Sequence, residues 1–269
     1  MTDYREWNFD GHGGSIYARS WDNSGAKFCA LLCHGYGEHI GRYDHVAEAL
    51  VDAGAEVHGL DHRGHGKSAG ERVLITDYEE VVDDVHALAG QVNQRNLPVV
   101  LIGHSMGGMI ATRYAQRYGD ELTALVLSGP VLGQWDAAAS LLAAAEIPDV
   151  PIDPATLSRD PDVGRVYQDD PLVWHGKFKR TTLEALLRCI DTINDAGSLG
   201  RLPTLWVHGE EDALVPLDGT RFGIDKIRGA RFSDKIFPGA RHEVFNETNK
   251  SEVLRDVIDF VLEIVEAPE

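Results

Sequence analysis

The sequence predicts an α/β protein: a mostly parallel sheet flanked by helices and carrying an inserted helical cap. Three observations point there. Apolar strand-like runs alternate with amphipathic helical runs along most of the chain, the pattern that buries a parallel sheet on both faces. Pro98-Val99-Val100-Leu101-Ile102 runs through Gly103-His104-Ser105-Met106-Gly107 directly into a helix-compatible stretch, 108–115, so a serine stands at the tip of a very tight strand-to-helix turn. From about Leu132 to Gly197 the alternation stops. That stretch holds an Ala/Leu-rich run, a Pro/Asp-rich patch and a helical run but no good strand. It is too long for a simple connection between two strands. The expected division is therefore a core of residues 1–131 and 198–269 with a cap of residues 132–197.

Taken in order, strands are expected around 6–9 and 15–19, flanking the turn Gly11-His12-Gly13-Gly14. Residues 27–33 form a third, almost continuously apolar. A helix follows with Tyr43, Val46, Ala47, Leu50 and Val51 on one face. Residues 56–60 make a short strand, and Tyr78, Val81, Val82, Val85 and Ala89 mark a longer helix. Strands at 99–102 and 122–127 bracket the helix that begins after Ser105. Within the cap, 137–145 and 181–193 read as helical and 148–161 as an irregular Pro/Asp patch. Strands are expected again at 204–208 and 231–237. The final helix carries an apolar stripe of Val253, Leu254, Val257, Ile258, Val261, Leu262 and Val265, with Asn249 as its cap and Glu252 as the capping-box partner.

Composition narrows the function classes. With 269 residues, 43% of them hydrophobic, the chain can build a sizeable core. A net charge of −18 opposes bulk electrostatic binding to nucleic acid or to an anionic membrane. The opening Met1-Thr2-Asp3-Tyr4-Arg5-Glu6 does not read as a secretory leader, and no apolar run approaches the roughly 20 residues of a membrane span. A cytoplasmic location is expected. The three cysteines fit a reducing compartment: Cys29 and Cys33 lie about 13 Å apart along one strand, too far for a disulfide, and Cys189 stands alone in a helical pattern. All three read as core.

The turn at Ser105 carries the chemistry. A chain forced from strand to helix across one residue is strained and crowded, which demands the small neighbours Gly103 and Gly107 and leaves the hydroxyl clear of the sheet edge. The bare pattern is weak, because Gly66-Lys67-Ser68-Ala69-Gly70 matches it too. Ser68, however, follows the polar Asp61-His62-Arg63-Gly64-His65 and leads into no clear helix. A serine nucleophile needs an imidazole to take its proton and a carboxylate to hold that imidazole. On this architecture both come from loops after later strands, in the order Ser, acid, His. Asp212 follows the strand 204–208 and His242 follows the strand ending at Phe237. Glu210 and Glu211 compete for the acid role and His208 for the base role. The amides of Met106 and Tyr36, the latter in the glycine-bounded turn His34-Gly35-Tyr36-Gly37, are the expected oxyanion donors. His62 and His65 have ligand-like spacing without further ligands to join them, and Arg63 and Asp61 are expected to pair within their loop. No P-loop or dinucleotide fingerprint is present, and neither a metal nor a cofactor is called for.

His34-Gly35-Tyr36-Gly37-Glu38-His39, Gly41-Arg42-Tyr43, residues 61–68 and Gly103-His104-Ser105-Met106-Gly107-Gly108 together resemble the monoacylglycerol lipases of the serine α/β-hydrolase superfamily. The likeness continues through the cap, at 157–160 and 167–173, and resumes at 209–212 and 242–247. The resemblance implies the α/β-hydrolase fold and hydrolysis of monoacylglycerol to fatty acid and glycerol beneath a mobile cap with an apolar acyl tunnel. It also implies that Glu38, Arg42, His104 and Tyr167 surround the glycerol end. Glu38 and Arg42, four residues apart, could equally pair with each other. Animal members carry a histidine three residues after the catalytic one, where this chain has Phe245. A lysophospholipase, a general carboxylesterase or a non-catalytic binding protein on the same fold are the alternatives. The expected partner is a small lipid ester, with transient contact between the cap run 137–145 and lipid aggregates, driven by apolar burial rather than charge.

Overall fold

The computed structural model describes residues 3–267, so Met1 and Thr2 of the stretch read for a leader lie outside the described residues. Eight strands form one sheet in the order β1-β2-β4-β3-β5-β6-β7-β8. These are β1 (Arg5–Gly11), β2 (Gly14–Trp21), β3 (Phe28–Cys33), β4 (Ala55–Leu60), β5 (Val99–His104), β6 (Ala124–Ser128), β7 (Thr204–Gly209) and β8 (Phe232–Phe237). The β1–β2 hairpin and the β2–β4 pairing are antiparallel, and every other pairing is parallel. The inner strands β3 to β7 are buried along their full lengths, which explains why they read as continuous apolar runs. This is the α/β-hydrolase fold expected from the sequence.

Helices cover both faces. On one lie α2 (Tyr78–Val92) and α3 (Met106–Tyr118), with α6 (Arg180–Ala196) packed against them; on the other lie α1 (Asp44–Asp52) and α8 (Lys250–Val265). α2 is capped by the Asp77 carboxylate on the Glu79 amide and buries the expected Tyr78, Val81, Val82, Val85 and Ala89. Between β6 and β7 the described residues form α4 (Asp136–Ala143), α5 (Pro161–Asp169) and α6, with no strand among them.

Four local readings change. α5 begins inside the Pro/Asp patch, with Asp160 as its side-chain cap and Pro161 in the first turn. α7 (Leu217–Ile227) was not expected. Its interior Gly219 and Gly223 weaken a helix, yet a Cβ at either would come within 2.3 Å of the backbone at 133–134, so they let the chain leaving β6 pack on the helix. Asn249 makes no side-chain cap to α8, because its carbonyl oxygen accepts from Arg159 and its amide reaches the Glu252 carboxylate. Arg63 pairs with Glu80 rather than Asp61, whose carboxylate accepts from the Ile40 and Lys67 amides.

Candidate active site

Ser105 sits between β5 and α3 at φ 56°, ψ −120°, a conformation that costs a non-glycine residue on the order of 1–3 kcal/mol. The crowding at the turn fixes its neighbours: a Cβ at Gly103 would lie 2.3 Å from the Gly107 carbonyl oxygen, and one at Gly107 2.2 Å from that of Cys33. The Ser105 amide donates to the Ser128 carbonyl, and its own carbonyl accepts from Gly108, Met109 and Val131, so the strained turn is held from several sides. Ser68 is elsewhere and occupied. Its Oγ accepts from the Tyr17 amide and donates to the Asp61 carbonyl, binding the 61–70 loop to β2.

His242, beyond β8, lies with Nε2 2.9 Å from Ser105 Oγ and Nδ1 2.7 Å from Asp212 Oδ2. All three residues are buried. Asp212 Oδ1 accepts from the Leu214 and Val215 amides, leaving Oδ2 for His242. His208, the rival base, instead stands behind the acid. Its Nδ1 accepts from Trp206 Nε1, so Nε2 carries the proton and faces both the Val215 carbonyl and Asp212 Oδ2. Burial alone would raise the Asp212 carboxyl, but His242 and His208 outweigh it and hold Asp212 well below the usual carboxylate range. Burial likewise lowers His242, and the charge and hydrogen bond of Asp212 more than offset this, raising it above an ordinary imidazole. Glu210 and Glu211 are exposed.

Tyr36 and Met106 line the same cavity as Ser105. Met106 opens α3, so its amide is among those a helix leaves without an internal acceptor. The Tyr36 turn is fixed by Glu38, whose Oε1 accepts from the Gly35 amide at 2.6 Å and from Tyr43 Oη at 2.7 Å. Arg42 pairs with Glu38 Oε2 and also makes two 2.8 Å bonds to Glu243, so the Glu38–Arg42 pairing occurs inside a larger network. Glu243 was not singled out from the sequence. It is buried beside His242, accepts also from Asn246, and is held far below its ordinary value because Arg42 outweighs its desolvation. Its adjacency to His242 is visible in the sequence, but its partner lies 201 positions away.

The cavity encloses about 480 Å³ of empty space, including the part open to solvent. Its apolar lining is Val131, Trp135, Ile152, Leu157, Phe178, Leu186 and Leu214, and its polar lining beside Ser105 and His242 is Glu38, Arg42, His104, Tyr167 and Glu243. Tyr167 packs in one cluster with Leu157, Ile152 and Leu214. His104 is bonded through Nδ1 to Ser128, and burial pushes it down to about 4, so it is neutral. Tyr167 Oη and Tyr36 Oη are buried without a protein partner among the described residues, with the Arg42 guanidinium 5.1 Å from the Tyr167 ring centre. Phe245 is buried in the core under α8 and is not among the lining residues of this cavity. The segment 156–159 runs along the histidine loop, where the Glu243 amide donates to the Leu157 carbonyl and Arg159 binds the buried Glu247.

The chain is 37% identical to a monoacylglycerol lipase of Mycolicibacterium smegmatis, covering 96% of each. The chain belongs to the monoacylglycerol lipase family of serine α/β-hydrolases. The monoglyceride lipase of Homo sapiens is 32% identical over 87% of this chain and 82% of its own. A sequence profile described as "Serine aminopeptidase, S33" matches residues 25–249. Among solved structures, the monoacylglycerol lipase of Paleococcus ferrophilus superposes with a TM-score of 0.77 at 26% identity, covering 97% of this chain and 99% of its own. In this monoacylglycerol lipase family member, no helix among the described residues is long and apolar enough to cross a membrane.

Proposed function

We propose that the enzyme hydrolyses the carboxylic ester of monoacylglycerols through an acyl-enzyme on Ser105, with His242 as general base and Asp212 as the acid that orients it. Ser105 Oγ attacks the ester carbonyl while its proton passes to His242 Nε2. The Tyr36 and Met106 amides receive the oxyanion. Collapse expels glycerol, which takes the proton from His242. Water, deprotonated by the same imidazole, then releases the fatty acid and restores Ser105.

The observation that carries the substrate assignment is a cavity lined both by apolar side chains and by a closed polar network. The apolar lining suits one acyl chain, at roughly 0.8 kcal/mol per buried CH₂. In the network, all four carboxylate oxygens of Glu38 and Glu243 already have donors, and Arg42 is held by both. An ammonium group therefore meets no carboxylate without a partner, and a phosphate would confront two carboxylates across one guanidinium, which argues against an aminopeptidase and a lysophospholipase. The two partnerless tyrosine hydroxyls suit a neutral polyol. A role in binding alone is disfavoured by the intact Ser105–His242–Asp212 contacts. Residues 132–197 act in this reading as the cap, roofing the acyl end with Trp135, Phe178 and Leu186. The half-exposed Leu141 and Leu142 of α4 and the exposed Val150 are its means of touching lipid aggregates from the aqueous side. The test is Tyr167→Phe. The ratio of kcat/KM on 1-monoacylglycerol to that on a nitrophenyl ester of the same acid should fall. An unchanged ratio would remove Tyr167 from the glycerol end.

A further inference from the structure

At the amino ends of β3 and β4, remote from Ser105, three different ligand types converge. Cys29 stands opposite Glu56 in the β3–β4 register, and His58 lies two residues along β4 on the same face. Cys29 Sγ, one Glu56 oxygen and one His58 nitrogen all lie within 4.8 Å of one another, and all three residues are buried.

The outer atoms of this group are satisfied while the inner ones are not. Glu56 Oε2 is held by Arg95, and His58 Nδ1 is 2.8 Å from Ser20 Oγ, which in turn accepts from Trp7 Nε1 at 2.9 Å. Glu56 Oε1 and His58 Nε2 face each other at 3.9 Å, too far for a hydrogen bond, and neither has a partner among the described residues. Two buried polar atoms left so cost on the order of 1–3 kcal/mol each. We propose that Cys29 Sγ, Glu56 Oε1 and His58 Nε2 form a binding site for a thiophilic divalent cation of the zinc type, which clamps β3 to β4.

The donor set of one sulfur, one imidazole nitrogen and one carboxylate oxygen is that of a borderline-soft metal, and a tetrahedral ion would complete its shell with a solvent oxygen. With Nδ1–H donated to Ser20, Nε2 presents its lone pair to the ion, the arrangement that orients metal-bound histidines. Binding replaces the thiol proton of Cys29, which leaves to solvent, and the cation's charge offsets that loss. Arg95, 40% exposed over an 11% exposed Glu56 side chain, covers the approach from solvent. Sequence spacing could not reveal the site, because its ligands come from two strands.

The test uses the reduced full chain freed of chelator. Zinc chloride titrated by calorimetry should bind one ion per chain and raise Tm. Cobalt chloride should give a thiolate-to-cobalt charge-transfer band. Cys29→Ala and His58→Gln should lose the band, Ser20→Ala should weaken binding about ten- to a hundredfold, and Cys33→Ala should leave both unchanged. Ester hydrolysis should be the same with and without zinc, since Ser105 lies at the other ends of the strands. Glu56→Gln, which keeps the side-chain volume and opens no cavity in the core, serves as a further variant and should also weaken binding. Zinc affinity unchanged in Cys29→Ala and Glu56→Gln, or a Kd weaker than about 1 mM in the parent, would overturn the proposal.

Discussion

Changing Asp212 to Asn replaces one carboxylate oxygen by an amide, and the surroundings decide which one. If the amide nitrogen took the Oδ1 place, it would face the Leu214 and Val215 N–H groups, leaving two buried donors unpaired at about 1–3 kcal/mol each. The nitrogen therefore turns toward His242 and His208. His208 cannot adapt, because Trp206 Nε1–H fixes its tautomer, but it keeps the Val215 carbonyl as acceptor. His242 can adapt by accepting at Nδ1, which places its proton on Nε2, facing Ser105, where a base is needed. The expected result is a folded enzyme with kcat lower by on the order of 10⁴, the size of the same change in serine proteases. Stability should drop by about 1–3 kcal/mol for the one mismatched donor, and a shift of several degrees in Tm follows at roughly 2–4 °C per kcal/mol. Steady-state hydrolysis of a short nitrophenyl ester and a melting curve measure both. An Asp212→Asn enzyme within tenfold of the parent, or one unfolded at 25 °C, would contradict this orientation of the amide.

A fluorophosphonate probe should label one peptide, containing Ser105, and Ser105→Ala should abolish labelling and activity. Ser68→Ala should keep both and lose about 1–3 kcal/mol by denaturant titration, having left the Tyr17 amide without its acceptor. Glu243→Gln breaks a buried charge pair, a loss of about 3–5 kcal/mol when nothing compensates. Since Arg42 keeps Glu38, the expected cost is at the lower end, with kcat falling more than KM rises as the Tyr36 turn loosens; a KM effect alone would contradict this. Acid should destabilise the fold early. Burial pushes His58, His65 and His104 down to about 4 and His62 to about 3. These groups gain protons on unfolding below about pH 6.5, so each removes about 1.4 kcal/mol per pH unit until its folded value is reached. Urea midpoints equal at pH 7 and pH 5 would count against it.

The fold was legible because its signals are local. β3 to β7 are buried on both faces and read as apolar runs, while α2 and α8 show one-sided stripes. α7 was hidden because Gly219 and Gly223 serve a close backbone approach, a cause invisible to helical periodicity. The capping box at Asn249 failed for a similar reason, since Arg159, 90 positions earlier, takes the side-chain oxygen. At the site, strand ends placed Ser105, Asp212 and His242 by topology, and the distances between them follow from that. His208 looked like a competing base because a histidine at a strand tip says nothing of its neighbour Trp206 until the pair is seen in three dimensions. Glu243 and the Cys29–Glu56–His58 group share that limit: each is defined by partners brought from other strands or loops.

If one acyl chain and a small neutral polyol fill this cavity together, kcat/KM on mono-, di- and triacylglycerols of the same acid, presented in equal detergent dispersions, should separate the three. Monoacylglycerol should be turned over much faster, because a second chain beside Arg42 and Tyr167 would leave the Tyr36 and Tyr167 hydroxyls, which have no protein partner among the described residues, unpaired at about 1–3 kcal/mol each. Equal kcat/KM for monoacylglycerol and triacylglycerol would contradict it.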